Sequence, residues 1–83
     1  MPKSVYSARY TQFRKLLVDA RIAANVTQEE LAADLGRPQS YVSKYERGER
    51  RLDVVEYLEI ALALNIDPAA LLEKLQAASG TRS

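Results

Sequence analysis

The chain has no cysteine and no histidine among its 83 residues, and only three glycines and three prolines. Without the first two it has no disulfides, no thiolate chemistry, no usual zinc ligands and not the commonest general base. No run approaches ~18 consecutive apolar residues and the N-terminus carries no long apolar segment, so neither a membrane span nor a secretion signal is indicated, and a cytoplasmic protein is expected. Nothing assembles an acid, a base and a pocket, so no enzyme, metal, cofactor or small-molecule ligand is expected. Eighty-three residues make one domain with a modest core that depends on good helix caps or on a partner.

A large charge of one sign is also missing, since 12 Lys and Arg face 11 Asp and Glu for a net +1. The distribution is nevertheless uneven. Residues 1–26 carry five basic side chains against one Asp, and residues 37–51 carry five against two Glu, whereas residues 27–36 and 52–83 are each net acidic. A polarised field of this kind suits nucleic acid; it also suits an ordinary mixed-charge helical surface.

What is present is helical periodicity throughout, and the reading is all-α with five helices. Tyr6, Tyr10, Phe13, Leu17, Ala20 and Ala24 form the stripe of a first helix capped by Ser4 or Ser7 and ended by Asn25. Thr27 caps a second helix, with Glu30 completing a capping box. Leu31 and Leu35 on that helix and Val42 and Tyr45 on the next give each one apolar edge. Ala32 permits close approach, and Gly36 can take the positive φ of a sharp turn. This is helix-turn-helix geometry, and it turns Gln39, Ser40, Ser43, Lys44 and Arg47 outward. Gly48 ends the third helix. Asp53 caps a fourth with Glu56 at its third position and Val54, Tyr57, Leu58, Ala61 and Leu64 as its stripe. Asn65 and Ile66 close it, and Asp67-Pro68 opens a fifth through Leu71, Leu72 and Leu75. Residues 1–9 read as an N-terminal arm and the start of helix one, 10–78 as the domain, and 79–83 as a flexible tail.

The segments TQEELAADLG at 27–36, SYVSKYERGER at 40–50 and YLEIALALNIDPAALL at 57–72 together resemble the Cro/repressor-type helix-turn-helix family, also called the xenobiotic-response-element (XRE) family. The resemblance implies a five-helix lambda-repressor-like DNA-binding domain. Such domains are mostly bacterial or phage transcription regulators that bind palindromic double-stranded operators as homodimers; a nucleoid-associated protein is implied, with residues 38–47 as recognition helix. Carried over, it places Gln39, Ser40, Ser43 and Lys44 at base edges or the adjacent backbone. Glutamine suits adenine N6 and N7, and lysine suits guanine O6 and N7. Thr27, Gln28, Arg37, Tyr41, Arg47, Arg50 and Arg51 are implied phosphate contacts, with packing an equal alternative for Tyr41. Arg21 and Glu46 match positions that form an ion pair in the family, and because burying either charge alone would leave it uncompensated, a bidentate pair tying helix one to helix three is expected; two independent surface charges are the alternative.

Two departures stand out. Arg37 replaces the usual aliphatic of the turn, and Pro38 the usual Ser or Thr cap, so the entry angle of the third helix can differ. For dimerisation, the apolar width of helix five points to Leu72 and Leu75, while Val18 and Ile22 offer a second apolar pair on helix one; these residues could equally thicken the monomer core. A repressor or autoregulator is the leading reading. An antitoxin, a restriction-modification controller and a protein-interaction adaptor of the same fold remain alternatives. With one DNA-binding module and no separate effector domain in view, control is expected through concentration, a partner, or competition at the operator.

Overall fold

Capping chemistry sets the helix boundaries. In the computed structural model, which describes residues 7–78, α1 spans Ala8–Ala23, α2 Gln28–Leu35, α3 Gln39–Arg47, α4 Val54–Leu64 and α5 Pro68–Ala78, with no strand among the described residues. Ser7 Oγ accepts the Tyr10 N–H at 3.0 Å and starts α1; Ser4 and Tyr6 lie outside the described residues. Asn25 takes φ 62° just beyond α1, and Val26 N–H donates back to the Arg21 carbonyl at 3.2 Å. Both expected capping boxes form. Thr27 Oγ1 accepts from Glu30 N–H at 3.0 Å while Glu30 accepts from Thr27 N–H at 2.9 Å, and Asp53 and Glu56 repeat the exchange at 2.8 and 3.0 Å. Each such cap contributes about 1 kcal/mol. Asn65 at φ 60° ends α4, with Ile66 N–H bonded to the Ala61 carbonyl, and the Asp67 carboxylate accepts from Ala69 N–H at 2.9 Å ahead of Pro68.

The turns are built on two glycines. Gly36, φ 69°, has open space where a side chain would stand, so its conformation alone calls for glycine. Gly48, φ 84°, likewise calls for glycine by its conformation, and the Arg14 guanidinium passes close by, its carbon 2.9 Å from where a Cβ would stand. Pro38 occupies the N-cap position of α3 in extended geometry and supplies no side-chain hydrogen bond. The helix therefore begins at Gln39 rather than at residue 38, and Tyr41 N–H bonds the Pro38 carbonyl at 3.0 Å instead.

Leu17, Leu31, Val42, Tyr45 and Ile60 are fully buried and draw α1, α2, α3 and α4 onto one core. Nearly buried Ala32 lets α2 and α3 pack closely, as its size predicts. Tyr57 closes the α5 side: its hydroxyl donates to the Pro68 carbonyl at 2.6 Å, and its ring meets Phe13 edge-on at 5.3 Å. Two expected stripes need correction. Ala24 is exposed as the C-cap of α1. On α4 the buried edge is Tyr57, Ile60, Ala61 and Leu64, whereas Val54 is 73% and Leu58 46% exposed. In VVEYLEIALAL nearly every residue is apolar, so composition does not define a unique face, and packing against α2 and α5 selects Ile60.

Candidate nucleic-acid interface

Helix α3 buries Tyr41, Val42 and Tyr45, directs Glu46 inward and presents the remaining residues on its outer side. Gln39, Ser40, Lys44 and Arg47 are exposed, and Ser43 is half-buried beside them, so the structure brings the expected base-reading residues onto one face. The Ser43 hydroxyl donates to the Ser40 carbonyl and accepts from Arg47.

This face is held by a partly buried charge network. Arg21 Nε and Nη2 donate to the two carboxylate oxygens of Glu46 at 2.7 and 3.2 Å, and their side chains are only 14% and 7% exposed. The hydrogen bond to Glu46 raises the guanidinium pKa against the opposing effect of burial. Arg21 Nη1 also donates to the Val26 carbonyl, tying the end of α1 to the start of α2. Gln28, expected at a phosphate, directs its amide inward: Nε2 donates to Glu46 Oε1 at 2.9 Å, and its carbonyl oxygen accepts from Gln39 Nε2 at 3.4 Å. A continuous chain of polar contacts thus runs from α1 through Glu46 to the first residue of α3. Thr27 uses its hydroxyl as the α2 cap. Arg14, which the sequence reading passed over, donates to the Glu46 carbonyl at 2.6 Å and forms the wall against Gly48. Its position in the α1 register was the only available signal.

The flanking arginines occupy more particular positions than their sequence neighbourhood suggested. Tyr41 is only 7% exposed, and its ring lies against the guanidiniums of both Arg37 and Arg50, 4.5 and 4.8 Å from the ring centre. Packing is its role within the described residues, and burial, more than the nearby charges, raises its hydroxyl pKa. Arg50 donates to both oxygens of Glu56, at 3.0 and 2.7 Å, and Arg37 sits 4.0 Å from Glu56 and 3.9 Å from Glu59. Arg47 is held by both oxygens of Glu49 at 2.9 and 3.1 Å. Arg51 lies apart from that group, with its guanidinium 4.0 Å over the Tyr10 ring. Beside the core pair, the Tyr45 hydroxyl is buried without a hydrogen-bond partner among the described residues, and burial raises its pKa strongly. An unsatisfied group of this kind costs about 1–3 kcal/mol.

Hydrogen bonds from Arg50 and from the Asp53 backbone N–H hold the Glu56 carboxyl at about 2, below its ordinary 4.5. A depressed folded-state value stabilises the fold above pH ~4.5, and that contribution is lost as the pH falls toward ~2. Because Arg50 is partly exposed and solvent screens the pair, the expected contribution is about 0.5–1 kcal/mol. Melts between about pH 6 and pH 2.5 should show wild type losing that much more than Glu56→Gln; parallel acid limbs for the two proteins would contradict it.

Among the described residues no helix is long and apolar enough to cross a membrane, and no group of acidic residues is placed to hold a metal. A helix pair hinged at a left-handed glycine, with the second helix exposing a polar and basic face, defines a helix-turn-helix domain. The helix-turn-helix family model matches residues 17–71, and the chain belongs to the XRE-type helix-turn-helix family of DNA-binding transcriptional regulators. It is similar to an XRE-family-like protein from Pseudomonas syringae pv. tomato, at 55% identity over 88% of this chain and 89% of that one, with a TM-score of 0.84. It is also similar to the restriction-modification controller protein C.AhdI from Aeromonas hydrophila, at 38% identity over 78% of this chain and 98% of that one, with a TM-score of 0.71. The clp gene regulator ClgR from C. glutamicum, 23% identical over 93% of this chain and 99% of its own, shares the fold with a TM-score of 0.77. No curated protein matches the chain.

Proposed function

We propose that this regulator reads a palindromic operator as a homodimer, with α3 of each protomer in the major groove, and acts as a repressor or autoregulator of its own gene. The exposed Gln39, Ser40, Ser43 and Lys44 face, buttressed from within by Gln28 and Glu46, carries this reading. Lys44 and Gln39 supply the directional contacts to base edges, and Arg37, Arg47, Arg50 and Arg51 meet the sugar-phosphate backbone, while Thr27, Gln28 and Tyr41 serve as cap, link to Glu46 and packing. One recognition helix covers only a few base pairs, so useful specificity requires two. For the dimer contact we propose Leu72 and Leu75 of α5. Leu72 is 45% exposed at the edge of an apolar groove of about 380 Å³ that also exposes Val54 and Leu58, and this supports a contact broader than α5 alone. Ile22 is exposed too, but Val18 and Ile22 do not line this groove. A second reading, control of a restriction-modification system, is favoured by the likeness to C.AhdI; a methylase gene beside this one would support it.

Two substitutions test the division of roles. Lys44→Ala should weaken operator binding by ~1–3 kcal/mol and relax preference at one base position. Arg51→Ala should weaken all sequences about equally and lower the slope of log K against log salt by roughly one. Titrations at several stated salt concentrations measure both; a changed consensus for Arg51→Ala would refute the assignment.

A further inference from the structure

The arginines nearest the recognition helix share one feature that the DNA reading does not use. Each of Arg37, Arg47 and Arg50 faces a carboxylate of this chain: Arg37 at 4.0 and 3.9 Å from Glu56 and Glu59, Arg47 in a forked contact with Glu49, and Arg50 in a forked contact with Glu56. A guanidinium grips a phosphate through two parallel N–H groups, the same edge that a carboxylate occupies. In Arg50 that edge is filled: Nη1 and Nη2 reach the two Glu56 oxygens, and Nη1 also reaches the Arg51 carbonyl. Glu56 is itself fixed, because Oε1 accepts the Asp53 N–H as part of the α4 cap. In Arg47 the Nε and Nη2 edge is filled by Glu49 and Nη1 by Ser43.

We propose that Glu56 and Glu49 are internal stand-ins for DNA phosphate, which hold Arg50 and Arg47 away from the backbone until the operator, bound in register, displaces them. The proposal rests on the DNA-binding reading. On duplex of arbitrary sequence, where affinity comes almost wholly from phosphate contacts, the two arginines stay with their carboxylates and add nothing to counterion release. Glu56 keeps its charge at any pH used for DNA binding, because Arg50 and the helix cap hold its pKa down. The carboxylates thereby set the sequence-independent affinity of the domain.

The test is binding of the purified full chain to a random-sequence duplex, titrated from about 50 to 200 mM salt. Glu56→Gln retains a cap acceptor and Glu49→Gln touches no cap, so a fold defect in the first leaves the second informative. Each variant is expected to bind tighter than wild type and to steepen the salt slope by about 0.9, so that its advantage shrinks about threefold across that range. The gain must also vanish when the paired arginine is removed, in Arg50→Gln with Glu56→Gln and in Arg47→Gln with Glu49→Gln. A gain that persists in full without the arginine would reveal simple removal of negative charge and overturn the proposal, as would no gain at all. Wild-type protein without salt-sensitive binding to any duplex would instead overturn the DNA reading, and the proposal with it.

Discussion

Glu46→Ala is expected to destabilise the fold by ~3–5 kcal/mol, against a total stability of about 5–15 kcal/mol for a domain of ordinary stability. Arginine cannot shed its charge, so removing Glu46 leaves the 14%-exposed Arg21 side chain with the Val26 carbonyl as its remaining hydrogen-bond partner among the described residues. The same substitution takes the acceptor from the Gln28 amide, loosening the link to Gln39. At roughly 4–8 °C per kcal/mol for a chain of this size, the melting temperature should fall by on the order of 20 °C. The double variant Arg21→Met with Glu46→Leu should recover much of the loss, since it removes both largely desolvated charges together. Thermal melts of the two single variants and the double decide the matter: additive losses without recovery would mean that the pair is not energetically coupled.

The second large effect concerns assembly. Leu72→Lys places a charge on the proposed dimer face at a position already 45% exposed, so the monomer fold should survive it. If the two recognition helices act through one dimer, separating the protomers removes the gain from simultaneous engagement, and affinity for the full operator should fall by ~10²–10⁴-fold. Sedimentation gives the oligomeric state, and helicity and a melt confirm folding. A folded Leu72→Lys protein that stays dimeric and binds the operator as before would place the interface elsewhere, with Val18 and Ile22 on α1 the next face to examine.

Much of the fold was legible because its signals are local. A capping box needs only residues three apart, and both boxes, the Asp67-Pro68 start and the left-handed Gly36, Gly48, Asn25 and Asn65 follow from short-range sterics and hydrogen bonding. The α4 stripe was misread because its sequence is almost uniformly apolar, and only neighbouring helices choose between Leu58 and Ile60. The Arg21–Glu46 contact came from the family resemblance together with the cost of burying either charge alone, and the structure places it as expected. The carboxylate partners of Arg37, Arg47 and Arg50 were not legible: long side chains reach across loops in directions that no spacing rule encodes, and Glu56 was read only as a helix cap. Tyr41 could be packing or contact from sequence, and its burial against two guanidiniums is a tertiary outcome.

The central claim, that α3 reads a symmetric operator from a dimer, is tested most directly by selecting bound sequences from a random duplex pool at stated salt with the wild-type protein. The account predicts a palindromic consensus whose half-sites lie about one helical turn apart, ~34–36 Å, as two α3 helices on one side of the duplex require. Recovered sequences with no enrichment, or with a single unpaired half-site bound as tightly as the full site, would contradict it.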